Sequence, residues 1–313
     1  MISFGPIPSR RLGMSLGINN IPSRKICSYS CLYCQVGKTK NYSTELQEFY
    51  NPNVIFEEVK ARLNSLNDSD KPDFLTFIAN GEPTLDSSLG DSIDAVSVFG
   101  IQVAVVTNAS LLSNKRVREN LMHADLVSVK VDAGLEYVWQ KIQQPSENLD
   151  FQSYLHGLYL FVQEFSGTII TETMLLAGIN DSDDCVKETI TIISQLNPSC
   201  SYISIPTRPT AFTEAQAPSE QIVTRVFQQF VSQGINTELL IGFEGTNAGF
   251  SGNAYEDILN MSAVHPIRED TMEELLRKNG SSYDIVDSML YNKLLRKVQY
   301  DSHSFYIRQF HVK

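Results

Sequence analysis

The residues with the clearest chemical potential are three cysteines within eight residues of this 313-residue chain: Cys27, Cys31 and Cys34. The other two, Cys185 and Cys200, stand far away and alone. A thioredoxin-like C-x-x-C pair would leave Cys27 unexplained, and a zinc site commonly takes four ligands, whereas no histidine follows within eighty residues. Three thiolates fit a [4Fe–4S] cluster with one open iron, because a closed cluster takes four cysteines. A zinc site completed by a distant residue is the alternative.

The elements that must hold this motif follow an alternating pattern of apolar strands and helices. Such a pattern is typical of buried parallel strands with crossover helices. With a first strand at residues 15–21, it predicts six or seven βα units and an α/β fold, a partial or complete (β/α) barrel. An open doubly wound sheet is the alternative, although no glycine-rich phosphate loop follows the first strand. The other predicted strands lie within residues 74–84, 101–108, 126–133, 168–178, 202–207 and 237–242, and the predicted helices are 53–66, 113–122, 151–165, 182–196 and 219–234.

Polar residues follow the predicted strands at their C-terminal ends, where a parallel barrel carries its functional site. The first strand leads into the cysteine loop, and the second ends in the turn residues 80–84. One rim of the barrel is therefore expected to carry the site. The polar residues at the next three strand ends are Thr107 and Asn108, then Lys130 and Asp132, then Glu172, which Met174 follows.

The composition limits the possible functions. The chain has 25 Lys and Arg against 36 Asp and Glu, a net charge of −11, which argues against a broadly basic nucleic-acid surface. No apolar run reaches the ~18 residues that a membrane helix needs, and the N-terminus lacks the apolar core of a secretory signal. We therefore expect a cytoplasmic protein without membrane association, in which clustered cysteines are metal ligands or redox groups rather than disulfides.

A different pattern begins near residue 260. Residues 268–280 and 283–297 are predicted to be helices and residues 298–310 a β-hairpin, an order that resembles a reduced winged helix. We therefore predict a barrel domain over residues 1–258 and a winged-helix-like C-terminal domain over residues 259–313.

The charge of this C-terminal part differs from that of the rest. Residues 265–313 carry eight basic and seven acidic residues, a net charge of +1, and the preceding residues carry −12. Duplex binding draws much of its affinity from cations that meet phosphates, so we expect no sequence-specific DNA binding. We expect instead a module that covers the barrel mouth or grips a macromolecular substrate.

The motif C-x3-C-x2-C, with an aromatic residue before its last cysteine, resembles that of the radical S-adenosylmethionine (radical SAM) superfamily. A glycine-glutamate-proline motif about fifty residues later and the βα series strengthen the resemblance. Residues 4–37 are similar to a subgroup of uncharacterised radical SAM iron–sulfur oxidoreductases, distant relatives of the archaeal wyosine-tRNA synthases. The similarity covers nearly the whole chain, including residues 204–210 and 264–270.

The resemblance implies two cofactors, a [4Fe–4S] cluster and S-adenosyl-L-methionine (SAM). Cys27, Cys31 and Cys34 would each bind one iron. The amino and carboxylate groups of SAM would chelate the fourth iron, and Tyr33 would lie near the adenine ring.

The resemblance also assigns a role to the glycine-glutamate-proline motif. Gly81, Glu82 and Pro83 would meet the methionyl ammonium of SAM, for which a strand-end carbonyl and a carboxylate are suitable acceptors. Asn80 stands where the first glycine of the family's motif often stands. Without the cysteines, these residues would be read as an ordinary strand-ending turn.

Three further residues have cofactor roles by the same resemblance. Lys130 would pair with the methionyl carboxylate, and Asn108 or Asp132 would accept from ribose hydroxyls. In related activating enzymes the acidic residue precedes the basic one, the reverse of the order here, and a structural ion pair between Lys130 and Asp132 is the alternative. Glu172 and Met174 are expected to fill the barrel and its rim.

The implied activity is reductive cleavage of SAM to methionine and a 5′-deoxyadenosyl radical, which abstracts hydrogen from an unidentified substrate. An electron donor such as flavodoxin or ferredoxin would be a partner. Arg10, Arg11 and Arg208 are compatible with an anionic substrate and also with surface or capping roles. The alternatives are a tRNA-modifying enzyme like the wyosine synthases, whose second set of cysteines this chain lacks, and an iron–sulfur winged-helix redox sensor.

Overall fold

The computed structural model describes residues 2–22, 24–67, 70–242, 245–246 and 248–309. Strands alternate with helices over most of the chain, as the sequence pattern predicts. The strands are β1 (Ser3–Ser9), β2 (Gly13–Ile18), β3 (Ile26–Cys27), β4 (Asn41–Tyr42), β5 (Phe74–Phe77), β6 (Gln102–Thr107), β7 (Leu126–Lys130), β8 (Thr168–Met174), β9 (Cys200–Ser204), β10 (Thr237–Leu240), β11 (Ile267–Arg268), β12 (Leu295–Tyr300) and β13 (His303–Arg308).

Eight strands form one mixed sheet in the order β1-β2-β5-β6-β7-β8-β9-β10. From β2 to β10 the neighbours are parallel, seven strands in all, which agrees with the predicted six or seven βα units. Strand β1 pairs antiparallel with β2 and is not among the predicted strands. Its sequence contains Pro6 and Pro8, which weaken a strand prediction but are tolerated here because β1 is an edge strand.

Six of the helices formed by the described residues begin after a residue whose side chain caps the first turn. Asn51 caps the first helix by accepting from Asn53 N at 3.0 Å, and Pro52 is its first residue. Three of the helices, Leu89–Ser97, Glu136–Gln143 and Ala254–Val264, are absent from the predicted set. The helices are α1 (Pro52–Ser65), α2 (Leu89–Ser97), α3 (Lys115–Leu121), α4 (Glu136–Gln143), α5 (Phe151–Glu164), α6 (Asp183–Leu196), α7 (Glu220–Ser232), α8 (Ala254–Val264), α9 (Glu269–Lys278) and α10 (Asp284–Tyr291).

Helix α10 is shorter than the predicted helix 283–297, and this prediction was wrong at its C-terminal end. The helix ends at Tyr291, and Lys293 adopts a left-handed φ of 55°. Leu294 N then donates to Met289 O at 2.8 Å, which closes the helix end. Leu294 and Leu295, which the apolar spacing assigns to the helix, instead lead into strand β12.

The eight-stranded sheet curls into a partial barrel. Side chains from the β1–β2 turn and from strands β6 to β10 pack together in one buried apolar cluster, which requires the two edges of the sheet to approach each other. Arg10, in the β1–β2 turn, donates to Leu239 O at 3.2 Å and to Gly242 O at 3.1 Å at the other edge. The predicted fold class, a partial or complete (β/α) barrel, is thereby confirmed in its partial form. The members of the cluster are Leu12, Ala104, Leu126, Ile170, Cys200, Tyr202 and Leu240.

The C-terminal part has its own core, which joins α8, α9, α10 and a three-stranded sheet in the order β11-β13-β12. Two helices followed by a hairpin is the predicted order, and its likeness to a winged helix stays a prediction. The predicted division between residues 258 and 259 also stays a prediction; it lies inside α8. Arg62 of α1 pairs with Asp257 of α8 at 2.7 Å, so the two parts are linked by an ion pair that is largely buried.

None of the helices formed by the described residues is both long enough and apolar enough to cross a membrane.

Candidate active site

A cavity of about 230 Å³ lies where most of the predicted site residues meet. The cysteine loop and the ends of strands β5 to β8 form its wall, and we call it the cysteine cavity. Pro83 and Asp132 do not line it and are buried next to residues that do. The predicted residues that line it are Cys27, Cys31, Cys34, Tyr33, Gly81, Glu82, Asn108 and Lys130.

The cysteine loop is anchored to helix α4 through its backbone. Ser30 N donates to Gln143 O at 2.9 Å, and Leu32 N donates to Ile142 O at 2.9 Å. These bonds hold the loop between the first and last cysteine against a helix that the sequence pattern did not indicate. Helix α4 is therefore one of the elements that position the thiols.

A lysine lies directly beside the thiols. Lys25 Nζ is 3.0 Å from Cys34 Sγ and donates to Gly37 O at 2.5 Å. Burial raises the pKa of the Cys27 thiol to about 12 against the opposing effect of Lys25, and burial also raises the pKa of Cys31. Metal ligation requires the thiolate, which burial disfavours and an adjacent ammonium favours. The three cysteines and the adjacent Lys25 therefore suit a bound metal group that several thiolates ligate at once.

Gly81 brings the end of β5 against the cysteine loop. Its φ is +148°, and a Cβ atom at this position would lie 1.8 Å from Ile26 O. Glu82 N donates to the same carbonyl oxygen at 3.1 Å. Only glycine permits such a close approach of two backbone segments, so Gly81 has a structural role whether or not SAM contacts it.

The Glu82 carboxylate joins the ends of β5 and β6. The residue is 1% exposed, and its Oε1 accepts from Thr84 Oγ1 at 2.7 Å and from Thr107 Oγ1 at 2.6 Å. Its Oε2 accepts from Asn108 N at 2.8 Å. Burial raises the pKa of Glu82, while these hydrogen bonds oppose the rise. The buried carboxylate therefore links the segment after β5 to the end of β6 through hydrogen bonds. Its predicted contact with the methionyl ammonium stays a prediction.

Asn108 connects strand β6 to the cysteine loop. Its Nδ2 donates to Ser28 Oγ at 2.9 Å and lies 3.7 Å from Cys27 Sγ. Its Oδ1 accepts from Ser110 N at 2.9 Å. The amide is thus already engaged at both ends, and its predicted contact with ribose remains a prediction.

Lys130 pairs with Glu172 rather than with Asp132. Lys130 Nζ is 2.7 Å from Glu172 Oε1, which also accepts from Ser204 Oγ at 2.8 Å. Arg11 forms an ion pair with the other oxygen of Glu172. Burial raises the pKa of Glu172, but Arg11 and Lys130 more than reverse this effect and lower it to about 2. Glu172, expected only to fill the barrel, is the centre of a charged network.

Asp132 supports the wall of the cavity from behind. Its Oδ2 accepts from Tyr33 OH and, at 2.6 Å, from Gln143 Nε2, and its Oδ1 accepts from Met174 N at 2.7 Å. Lys130 Nζ lies 5.1 Å from the centre of the Tyr33 ring. Asp132 therefore holds the Tyr33 side chain in place. The alternative, an ion pair between Asp132 and Lys130, does not form, because Lys130 pairs with Glu172.

The three cysteines line the same cavity, but their side chains do not meet at the position of a single metal ion. Within the parts of the chain that the structure describes, no three His, Cys, Asp or Glu side chains are grouped as ligands of a single metal ion. A [4Fe–4S] cluster ligates each thiolate through a different iron, which spreads the thiolates apart. Three cysteines around one cavity fit this cluster, and Cys185 in α6 and Cys200 in β9 do not line that cavity.

Comparisons with known proteins show the family of this chain. Residues 21–191, more than half of the chain, match the Radical SAM superfamily. The chain belongs to the radical SAM superfamily. A UPF0026 protein of Methanocaldococcus jannaschii is 41% identical to this radical SAM protein over 310 residues, which cover 98% of this chain and 96% of that protein.

Solved structures share the fold at low sequence identity. A radical SAM methyltransferase from Sphaerobacter thermophilus superposes with a TM-score of 0.57 at 14% identity, over 72% of this chain and 66% of that one. TYW1 with a lysine–pyruvate adduct bound superposes with a TM-score of 0.52 at 15% identity, over 71% of this chain and 75% of that one. These likenesses concern the partial barrel of this radical SAM protein and not its reaction.

A second cavity of about 190 Å³ adjoins the cysteine cavity in this radical SAM protein. We call it the arginine cavity, because Arg10, Arg11, Arg208 and Arg268 line it. The two cavities share a boundary, and the hairpin β12–β13 covers the arginine cavity from the C-terminal part. The residues common to both linings are Arg11, Gln35, Glu172 and Met174.

Two residues and one ion pair of this radical SAM site were not predicted from the sequence. Lys25 precedes the first cysteine by two positions, so a cation beside a thiolate motif was an available signal. Gln143 carried no such signal, because it reaches the site only through helix α4. Arg11 and Glu172 are far apart in the sequence, and no local pattern pairs them.

Proposed function

We propose that this radical SAM protein uses a [4Fe–4S] cluster to cleave SAM reductively and to start a hydrogen abstraction on a substrate. The observation that carries the proposal is the cysteine cavity, where three cysteines, a lysine and the ends of four strands meet. When bound and reduced, the cluster supplies the electron that splits SAM into methionine and a 5′-deoxyadenosyl radical. The protein's contribution is to bind and orient SAM and the substrate and to exclude water from them.

The residues of the cavity wall have distinct parts in this proposal. Cys27, Cys31 and Cys34 would hold three irons, and Lys25 would offset the negative charge of the thiolates. Lys130, at the end of β7, would offer an ammonium to the methionyl carboxylate while Glu172 holds it in place. The aromatic ring of Tyr33, fixed through its hydroxyl by Asp132, would form a wall for the adenine.

The electron donor would be an acidic carrier protein of the flavodoxin or ferredoxin kind. Between residues 13 and 44, around the cysteine loop, the chain has four basic residues and no acidic one, against a net charge of −11 overall. Arg24, Lys38 and Lys40 of this stretch are exposed, so they offer a cationic surface near the thiols. The substitutions Arg24→Glu and Lys40→Glu should slow reduction by an acidic flavodoxin and leave reduction by dithionite unchanged. Equal slowing with both reductants would argue against this surface.

The cluster assignment is tested by anaerobic reconstitution of the full-length protein. The wild-type protein should bind about four irons per chain and show the electronic absorption of a [4Fe–4S] cluster. Dithionite and SAM should then yield 5′-deoxyadenosine. Absence of this product from a fully loaded protein would contradict the proposed function.

Matched cysteine variants separate ligands from buried thiols. Cys27→Ala, Cys31→Ala and Cys34→Ala should each lose the cluster signal, whereas Cys185→Ala and Cys200→Ala should keep it. The two controls remove thiols that are buried, as Cys27 is, so a general loss of stability would affect both groups. Cluster loss in either control would show that the ligand set is wrong.

The redox-sensor alternative has less support than the enzyme. A winged-helix sensor would present its hairpin to DNA, but Asp301 and His303 at the tip of this hairpin line the arginine cavity instead. Tyr300 OH donates to Pro206 O at 3.4 Å, which holds the same hairpin on the loop after β9. A covering role over the barrel is the better proposal for this part of the chain.

A further inference from the structure

The arginine cavity is positively charged although the protein as a whole is acidic. Four arginines and two acidic residues line it, which leaves a formal charge of +2 in a chain of net charge −11. Clustered arginines repel one another unless an anion or an acidic side chain lies between them. The residues that line the cavity therefore favour an anion in it.

Glu172 neutralises only part of the charge. It lies between Arg11 and Lys130 and forms an ion pair with each, so three charged groups leave a surplus of one positive charge. Arg11 donates to Glu172 through Nη1, while its Nε is buried without a hydrogen-bond partner among the described residues. A guanidinium has five N–H donors, and this one retains donating capacity beside the cavity.

The other arginines are fixed at the cavity by different parts of the fold. Arg10 donates to two main-chain carbonyls, which position its guanidinium without cancelling its charge. Arg268 forms an ion pair with Asp270, which does not line the cavity. Arg208 belongs to the segment after β9, the same segment that holds the hairpin through Tyr300.

The cavity lies where a substrate would have to be for the proposed reaction. It shares Arg11 and Glu172 with the cysteine cavity, so a molecule in it is adjacent to the place proposed for SAM. The covering hairpin limits the space to about 190 Å³, which suits a compact group better than a polymer.

From these observations, and resting on the proposed function, we infer that the arginine cavity binds a compact anionic group, a phosphate or a carboxylate, of a small-molecule substrate. Arg11 is the central contact, because its side chain lines both cavities and it shares its counter-ion Glu172 with Lys130. Arg208, in the segment after β9, contributes a second guanidinium to the cavity. Guanidinium groups suit this task, since they match both anions in a bidentate geometry.

The inference is tested by calorimetric titration of the full-length protein with two probes, inorganic phosphate and acetate, without SAM or reductant. At least one probe should bind, and the probe that binds more tightly identifies the anion. Arg11→Gln and Arg208→Gln should each weaken that binding by about tenfold or more, the effect of losing one charged hydrogen bond. Arg11→Lys keeps the charge and should restore most of the affinity, which a merely structural role would not do.

Arg116→Gln is the matched control, because Arg116 is an exposed arginine of α3 outside both cavities, and it should leave binding unchanged. No binding of either probe, or equal binding by wild type, Arg11→Gln and Arg208→Gln, would overturn the inference. A short single-stranded RNA that binds more than tenfold tighter than both probes would overturn the small-molecule assignment. Anion binding without any 5′-deoxyadenosine formation would refute only the proposed function, and the reverse result would refute only this inference.

Discussion

The network around Glu172 gives a prediction whose size and pH dependence both follow from the structure. The substitution is Glu172→Gln, which keeps the shape of the side chain and removes its charge. Glu172 is 8% exposed as a side chain, so solvent screens its ion pairs with Arg11 and Lys130 only weakly. The loss should therefore be larger than for an exposed ion pair.

The magnitude follows from the pKa of the carboxyl. The folded protein lowers it from 4.5 to about 2, and at about 1.4 kcal/mol per pKa unit the difference corresponds to about 3 kcal/mol. A lowered pKa stabilises the folded state above the unfolded pKa of 4.5, and this stability is lost as the pH falls from 4.5 towards 2. The variant should thus be less stable than wild type by about 3 kcal/mol at pH 7 and by about half of that at pH 3.

Urea unfolding of the full-length protein measures both values. Trp139 is the single tryptophan and is buried, so its fluorescence reports the loss of the core. The difference between variant and wild type should be measured at pH 7, 5 and 3. Glu147→Gln, at an exposed position, is the control and should leave the midpoint unchanged at each pH. A difference that stays constant between pH 7 and pH 3, or a loss below about 1 kcal/mol at pH 7, would refute the reasoning.

Three further predictions concern single residues. Gly81→Ala should prevent iron loading and destabilise the protein by several kcal/mol, because the new Cβ atom would clash with Ile26 O. A normal iron content of this variant would contradict the prediction. Glu82→Ala should lower stability by about 3 kcal/mol even without SAM, because it leaves buried donors unpaired; a loss confined to SAM affinity, measured by titration, would show a ligand role instead. Ser302→Gly should stabilise the protein by about 1 kcal/mol and so raise its melting temperature slightly, because Ser302 and Asp301 both have positive φ in the hairpin turn. A lower melting temperature would mean that the Ser302 side chain makes a stabilising contact.

Much of the fold and part of the site were predictable because their signals are local. The spacing of Cys27, Cys31 and Cys34 by itself indicates metal binding, since these thiols lie on one short loop. Alternating apolar strands and amphipathic helices indicate a parallel sheet, and parallel strands bring their C-terminal ends to one edge. Gly81 and Glu82 follow one such strand, so their place near the cysteines was predictable from order alone.

Other features depended on contacts between distant segments. Strand β1 was missed because its prolines hide a strand that is tolerated only at a sheet edge, and edges are decided by the whole sheet. The end of helix α10 was misplaced because apolar residues at helical spacing continue into strand β12, which forms only by pairing with β13. The role of Asp132 depended on Gln143, which reaches it only through helix α4.

The sequence by itself determined that this protein carries three closely spaced cysteines on a βα scaffold, because both features follow from short-range spacing. Only the tertiary structure decided which charges meet. Arg11 and Glu172 are 161 residues apart, and their ion pair exists because the curled sheet brings the β1–β2 turn beside β8. The arginine cavity likewise combines the first turn, the segment after β9 and the C-terminal hairpin. Coulomb attraction depends on distance in space and burial, and neither can be read from a position in the sequence.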